Sequence, residues 1–216
     1  MGSAVATAVA FEAGLAVVAI GIATLLGWPS PLAPVAGASR SIEAQLAFGV
    51  VSSVPMVVAF LLLEKAPSRL LSDLRNQAAR LAVGLFRGAT VPQLLLVSAV
   101  AGIGEEVLFR GLLIGSLIEG TGVGIPVALV VSSVVFGLAH PISRSYAVVA
   151  GAVGLYLGAI YLWSGGVLAP IVAHGLYDFV ALRHLLQEDD DAGAASSDDD
   201  LLDESEAAGR ESPEEE

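Results

Sequence analysis

Six apolar runs, at about residues 4 to 26, 43 to 63, 93 to 118, 123 to 140, 146 to 163 and 166 to 186, constrain this chain more than any other feature. The hydrocarbon core of a bilayer takes roughly 20 consecutive apolar residues per spanning helix. Inside it a helix satisfies all its backbone hydrogen bonds within one segment. Short connections rich in Gly, such as EGTGVG and WSGG, separate the later runs and imply antiparallel neighbours. The expected fold is all-α, a polytopic membrane bundle of about six transmembrane helices filling residues 1–186. Composition agrees, because only 15% of residues are charged against roughly 25% in an ordinary soluble domain. The N-terminal run lacks the basic segment of a secretory signal, so it is expected to remain as a helix.

Charge divides the chain. From Gln187 to Glu216 there are 14 acidic residues and one basic residue; the rest of the chain has 8 acidic and 9 basic. The net charge of -12 is therefore a property of the tail, QEDDDAGAASSDDDLLDESEAAGRESPEEE. With no aromatics and few apolar residues, this segment is expected to be a disordered acidic tail beside the membrane domain. Nothing in the sequence suggests nucleic acid binding. Between Lys65 and Arg87 lie five basic residues and only one acidic residue, Asp73, which places this connection in the cytoplasm. Leu70, Leu71, Leu74, Ala78, Leu81 and Leu85 recur there at helical spacing, as in an amphipathic helix lying on the anionic inner leaflet. Threading six spans from that anchor puts both termini of this multi-pass cell-membrane protein in the cytoplasm. Cysteine is absent, which excludes disulfides, thiolate metal sites and a cysteine nucleophile.

Ionisable groups cost several kcal/mol in hydrocarbon unless paired or hydrated, so their positions are informative. The third run contains Glu105, Glu106 and Arg110. Glu106 and Arg110 are four apart with the acid first, the favourable order for an ion pair. Glu105 points about 100 degrees away around the helix and is expected to stay free. Gly102 and Gly104 just before them permit close approach of another backbone or a substrate. The fourth run ends with Phe136 and His140 four apart, and the sixth carries His174 and Asp178 at the same spacing. The least costly arrangement is one shared polar cavity between the third, fourth and sixth spans. In it, Glu105 is suited to take a proton from water that His140 orients, while His174 with Asp178 stabilises the oxyanion. That chemistry is peptide hydrolysis without a covalent intermediate. Ser164 in LWSGG lacks the glycine that a rhomboid-type GxSG motif needs, GLYD is not the presenilin-type GxGD, and no HExxH occurs. Glu12, alone in the first span, has no evident partner.

EEVLFR (Glu105 to Arg110), FGLAH (Phe136 to His140) and HGLYD (His174 to Asp178) resemble, in order, the EExxxR, FxxxH and HxxxN/D motifs of the CPBP intramembrane proteases. That family includes CAAX prenyl endopeptidases and bacteriocin-processing and immunity proteins. The resemblance covers about residues 93–186. It implies that Glu105 is the general base, His140 its partner on the attacking water, and His174 with Asp178 the oxyanion-side pair. Glu106, Arg110 and Phe136 take supporting positions. Asp178 departs from the commoner Asn: it must be protonated to donate a hydrogen bond, or must act by orienting His174. The implied substrate is a membrane-anchored or membrane-embedded peptide, with prenylation one option. No cofactor is expected; the alternative is zinc held by Glu105, His140 and His174. A non-catalytic immunity or scaffold protein and an ion-coupled transporter are the rival readings. All the motif residues are present, which argues against the first. The second is opposed by the short chain without paired interrupted half-helices.

Overall fold

A computed structural model of the protein describes residues 2–35, 40–65 and 67–210, with side chains described through residue 189 and at 191. Its elements are all helical. The first two are α1 (Ser3–Leu26) and α2 (Ile42–Glu64), followed by α3 (Arg69–Phe86). Next comes one continuous rod from Val91 to Thr121, made of α4 (Val91–Glu106), a π-wound stretch (Val107–Ser116) and α5 (Leu117–Thr121). Three more helices complete the chain: α6 (Ile125–Leu138), α7 (Arg144–Ser164) and α8 (Leu168–Arg210).

The helix ends follow local chemistry. The Ser41 and Ser143 side chains accept the backbone N–H groups of Ala44 and Tyr146 at the starts of α2 and α7, and Gln93 Oε1 accepts the Thr90 N–H at 2.8 Å at the start of α4. Pro126 occupies the first turn of α6, where no backbone N–H is needed. Gly165, at φ 78°, closes α7 in the left-handed conformation that a side chain disfavours.

Side chains that a soluble protein would hide cover the outside. Leu25, Leu62, Leu138 and Val148 all lie largely exposed, on helices that are mostly apolar. Such a surface suits lipid and not water. Among the described residues four helices are long and apolar enough to cross a membrane: Ser3–Leu26, Ile42–Glu64, Val91–Thr121 and Arg144–Ser164. This is a multi-pass membrane protein, with a span count that differs from the expected six. The fourth expected span is the 14-residue α6, about 21 Å long at 1.5 Å per residue, less than the roughly 30 Å of hydrocarbon. It ends early because Pro141 follows and because the chain turns there to present His140. The sixth expected span is the first part of α8, interrupted by His174, Asp178 and Arg183.

α8 forms the spine, packing most extensively on α2 and α4, while α6 pairs with α7 and α1 lies against α4 and the π-wound stretch. The basic connection is the expected amphipathic helix, α3: Ala82 and Phe86 are buried against the bundle while Leu70, Leu81 and Leu85 remain exposed. At the end of α2, Glu64 accepts from the Arg75 guanidinium through its backbone oxygen at 2.9 Å and meets His184 Nε2 of α8 at 2.5 Å. The helix α8 continues to Arg210, so the backbone of residues 187–210 is helical where composition suggested disorder. Residues 211–216 of the expected tail, and most of its side chains, lie outside the described residues.

Candidate active site

Glu105 and Glu106 close α4, Arg110 follows one turn later, His140 sits just past α6, and His174 and Asp178 lie on α8. Gly102 lets α8 come close. A Cβ at that position would lie 2.9 Å from the Ile171 oxygen and 3.1 Å from the Gly175 nitrogen, so the two backbones pass at a distance only glycine permits. That crossing carries His174 onto the double glutamate.

Glu106 and Arg110 are both fully buried. Arg110 Nη1 donates to Glu106 Oε1 at 2.6 Å, and Nη2 donates to the Gly154 carbonyl at 3.1 Å. The guanidinium lies over the Phe136 ring, 4.5 Å from its centroid. The expected ion pair therefore forms, with an aromatic platform beneath it. The Glu106 carboxylate also receives a second donor, His174 Nδ1, at 2.8 Å. This double duty was not legible from spacing, because it depends on where α8 crosses α4.

These hydrogen bonds define the two imidazoles. His140 Nδ1 lies 2.8 Å from the Phe136 carbonyl oxygen; a carbonyl only accepts, so Nδ1 carries the hydrogen. His174 Nδ1 likewise donates to Glu106. Both rings thus turn Nε2 toward Glu105, His140 at 3.8 Å from Oε1 and His174 at 3.8 Å from Oε2. Glu105 Oε2 is buried with no hydrogen-bond partner among the described residues, as expected of a carboxylate left free by its neighbour's pairing. Asp178 Oδ2 stands 3.4 Å from His174 Nε2. The group is not sealed: His140 and Asp178 each keep 27% of their side chain exposed. Phe136 contacts both histidines, its centroid 4.7 Å from His140 and 6.1 Å from His174. Tyr146 of α7 stacks on the far side of His140 at 6.4 Å.

The fit to zinc can be tested on donor spacing. Zn–N and Zn–O bonds of about 2.0–2.2 Å in a tetrahedron bring ligand atoms to roughly 3.3–3.5 Å of one another. Among the described residues, the one set of three such donors lying within 4.8 Å of each other is Glu64, His184 and Glu188, at the α2–α8 end and away from Glu105. The Glu105, His140 and His174 donors do not gather that closely as arranged. Glu106, the residue that would serve as a separate base beside a metal, is held by Arg110 and His174.

Residues 87–180 match the family model for type II CAAX prenyl endopeptidases, Rce1-like. Over that segment the chain is similar to this family. The matched segment includes all six polar residues of the site, from Glu105 to Asp178, and excludes α1, α2 and the end of α8. No curated protein and no solved structure gives a match to the chain. The family that this segment resembles is one of prenyl endopeptidases, and the long apolar helices of the chain agree with a place in the bilayer.

Proposed function

We propose that this protein is an intramembrane endopeptidase that hydrolyses a peptide bond of a membrane-anchored protein, a C-terminally prenylated one being the leading candidate. The observation that carries the reading is that two imidazoles, each anchored through Nδ1, aim Nε2 at one unpartnered carboxylate, Glu105. A separation of 3.8 Å is too long for a direct hydrogen bond and suits a water shared between Glu105 Oε1 and His140 Nε2.

In the proposed reaction Glu105 removes a proton from that water, and the hydroxyl oxygen attacks the scissile carbonyl. The developing oxyanion meets His174 Nε2. Since Nδ1–H is already given to Glu106, donation from Nε2 requires the imidazolium form, and the flanking carboxylates of Glu106 and Asp178 favour that charge. Asp178 therefore acts through His174, which removes the difficulty of an aspartate in place of an asparagine. Glu106, Arg110 and Phe136 position. No step in this scheme uses a Lewis acid.

The test is cleavage of a prenylated reporter peptide by purified protein in detergent. Wild-type protein is expected to release the C-terminal tripeptide, and Glu105→Gln, which keeps the shape but loses the base, is expected to fall by about 10²–10⁴-fold. A Glu105→Gln variant with near-normal turnover would remove the assignment.

A further inference from the structure

Beside the polar residues of the matched segment lies a carboxylate that the matched segment does not contain. Glu12 is the single charged residue of α1, a helix outside the matched segment. Its Oε2 is buried and has no hydrogen-bond partner among the described residues. α1 packs along α4 and the π-wound stretch, and the closest approach is at Gly104, where any Cβ would run into the Glu12 carbonyl. Gly104 immediately precedes Glu105, so Glu12 is brought to the level of the double glutamate. The groups that act on it electrostatically are Glu105 of α4, Asp178 and His174 of α8, and His140 after α6. Arg110, the cation of the π-wound stretch, is committed to Glu106 and to the Gly154 carbonyl. An acidic side chain in an otherwise uncharged helix, beside a polar cluster and with one buried oxygen that has no hydrogen-bond partner among the described residues, is costly to keep unless it handles a proton.

We propose that Glu12 is a second proton-carrying group of the site, one that supplies the leaving amine while Glu105 takes the proton from water. This rests on the endopeptidase reading. The steps balance: water gives a proton to Glu105 and its oxygen bonds to the carbonyl carbon. As the tetrahedral species collapses, the C–N bond breaks with its electron pair going to nitrogen, which takes the proton from the Glu12 carboxylic acid. Glu105 then passes its proton to the Glu12 carboxylate, and both groups return to their starting forms. Two carboxyl groups thus divide acid and base between them, and the acid comes from a helix that the matched segment does not contain.

Two measurements test this. Glu12→Gln keeps size and hydrogen bonding but carries no transferable proton. On the prenylated reporter it is expected to lose about 10²-fold in kcat with KM within about twofold, an unchanged melting temperature, and a pH profile missing one limb of the wild-type bell. Glu12→Asp is expected to recover part of the rate. A Glu12→Gln enzyme with the wild-type kcat and the same bell overturns the proposal while leaving the endopeptidase reading intact. The second measurement needs no turnover. The infrared C=O stretch of a protonated, deuterium-exchangeable carboxyl group should be present in the full protein near neutral pH and lost in Glu12→Gln. If wild-type protein cleaves no reporter, the endopeptidase reading fails, and the infrared band still decides Glu12: its persistence in Glu12→Gln overturns the proton-carrying role.

Discussion

Replacing Glu106 by alanine should cost more stability than removing Glu105, its neighbour in the sequence. Glu106 Oε1 holds two donors, Arg110 Nη1 at 2.6 Å and His174 Nδ1 at 2.8 Å, and Glu106 and Arg110 are both fully buried. Removing the acid leaves a guanidinium in the bundle with only the Gly154 carbonyl and the Phe136 face as partners. Breaking a buried pair from one side costs about 3–5 kcal/mol, and the lost anchor of His174 adds to it. Against a total stability of roughly 5–15 kcal/mol, that is about a fifth or more. At about 2–4 °C per kcal/mol for a chain of this size, the melting temperature in detergent should fall by on the order of 10 °C. Arg110→Ala should behave alike, and the double variant should be no worse than either single one, because the uncompensated charge is then gone. Glu105→Gln breaks no hydrogen bond among the described residues, so its melting temperature should stay within about 2 °C while turnover collapses. Thermal unfolding followed by intrinsic fluorescence, together with reporter cleavage, measures both. A Glu106→Ala protein that melts with the wild type, or a double variant whose losses simply add, would refute the account of the pair.

Three further outcomes are expected. Protein stripped by chelation, with its metal content checked by elemental analysis, should keep its peptidase activity; loss on chelation with recovery by stoichiometric zinc would reassign Glu105, His140 and His174 as ligands. A reporter fused after Glu216 should behave as cytoplasmic, given the basic stretch from Lys65 to Arg87, and activity of an exported reporter at that position would reverse the orientation. Truncation after Gln187 should leave a folded, active enzyme. Among the described residues it removes the surface partners Glu188 and Asp189 of His184 and Arg87, worth about 0–1 kcal/mol each, so aggregation of the truncated protein in detergent would count against it.

The parts of this molecule that spacing alone made legible are those governed by one helix. The i,i+4 relations of Glu106 with Arg110, Phe136 with His140 and His174 with Asp178 all appear as contacts, and α3 forms as a helix where its leucines recur at helical spacing, although Ala82 and Phe86 are its buried positions. What depended on two helices was hidden. The hold of Glu106 on His174 requires the crossing at Gly102, and the place of Glu12 requires the crossing at Gly104; the glycines signalled close approach but not which helix would come. The extension of α8 past Gln187 was missed for a different reason. An acidic composition argues that a segment has no core to bury, whereas helix formation there draws on Ala, Glu, Leu and a run without proline from Ile171 to Ser212.

The π-wound stretch from Val107 to Ser116 also escaped a reading built on a 3.6-residue period. Its hydrogen bonds reach five residues along the chain instead of four, so each residue advances less around the axis. One rod can therefore serve two sets of neighbours: the part before Val107 packs on α8, and the part after it seats Gly111 on Pro31 and Gly115 on the Tyr161 hydroxyl. The number of residues in this stretch sets the angle between the two halves. Deleting one of them, even an unremarkable leucine, would leave both glutamates in place yet turn every later side chain away from its seat, so the length of this stretch matters as much as the identity of its residues.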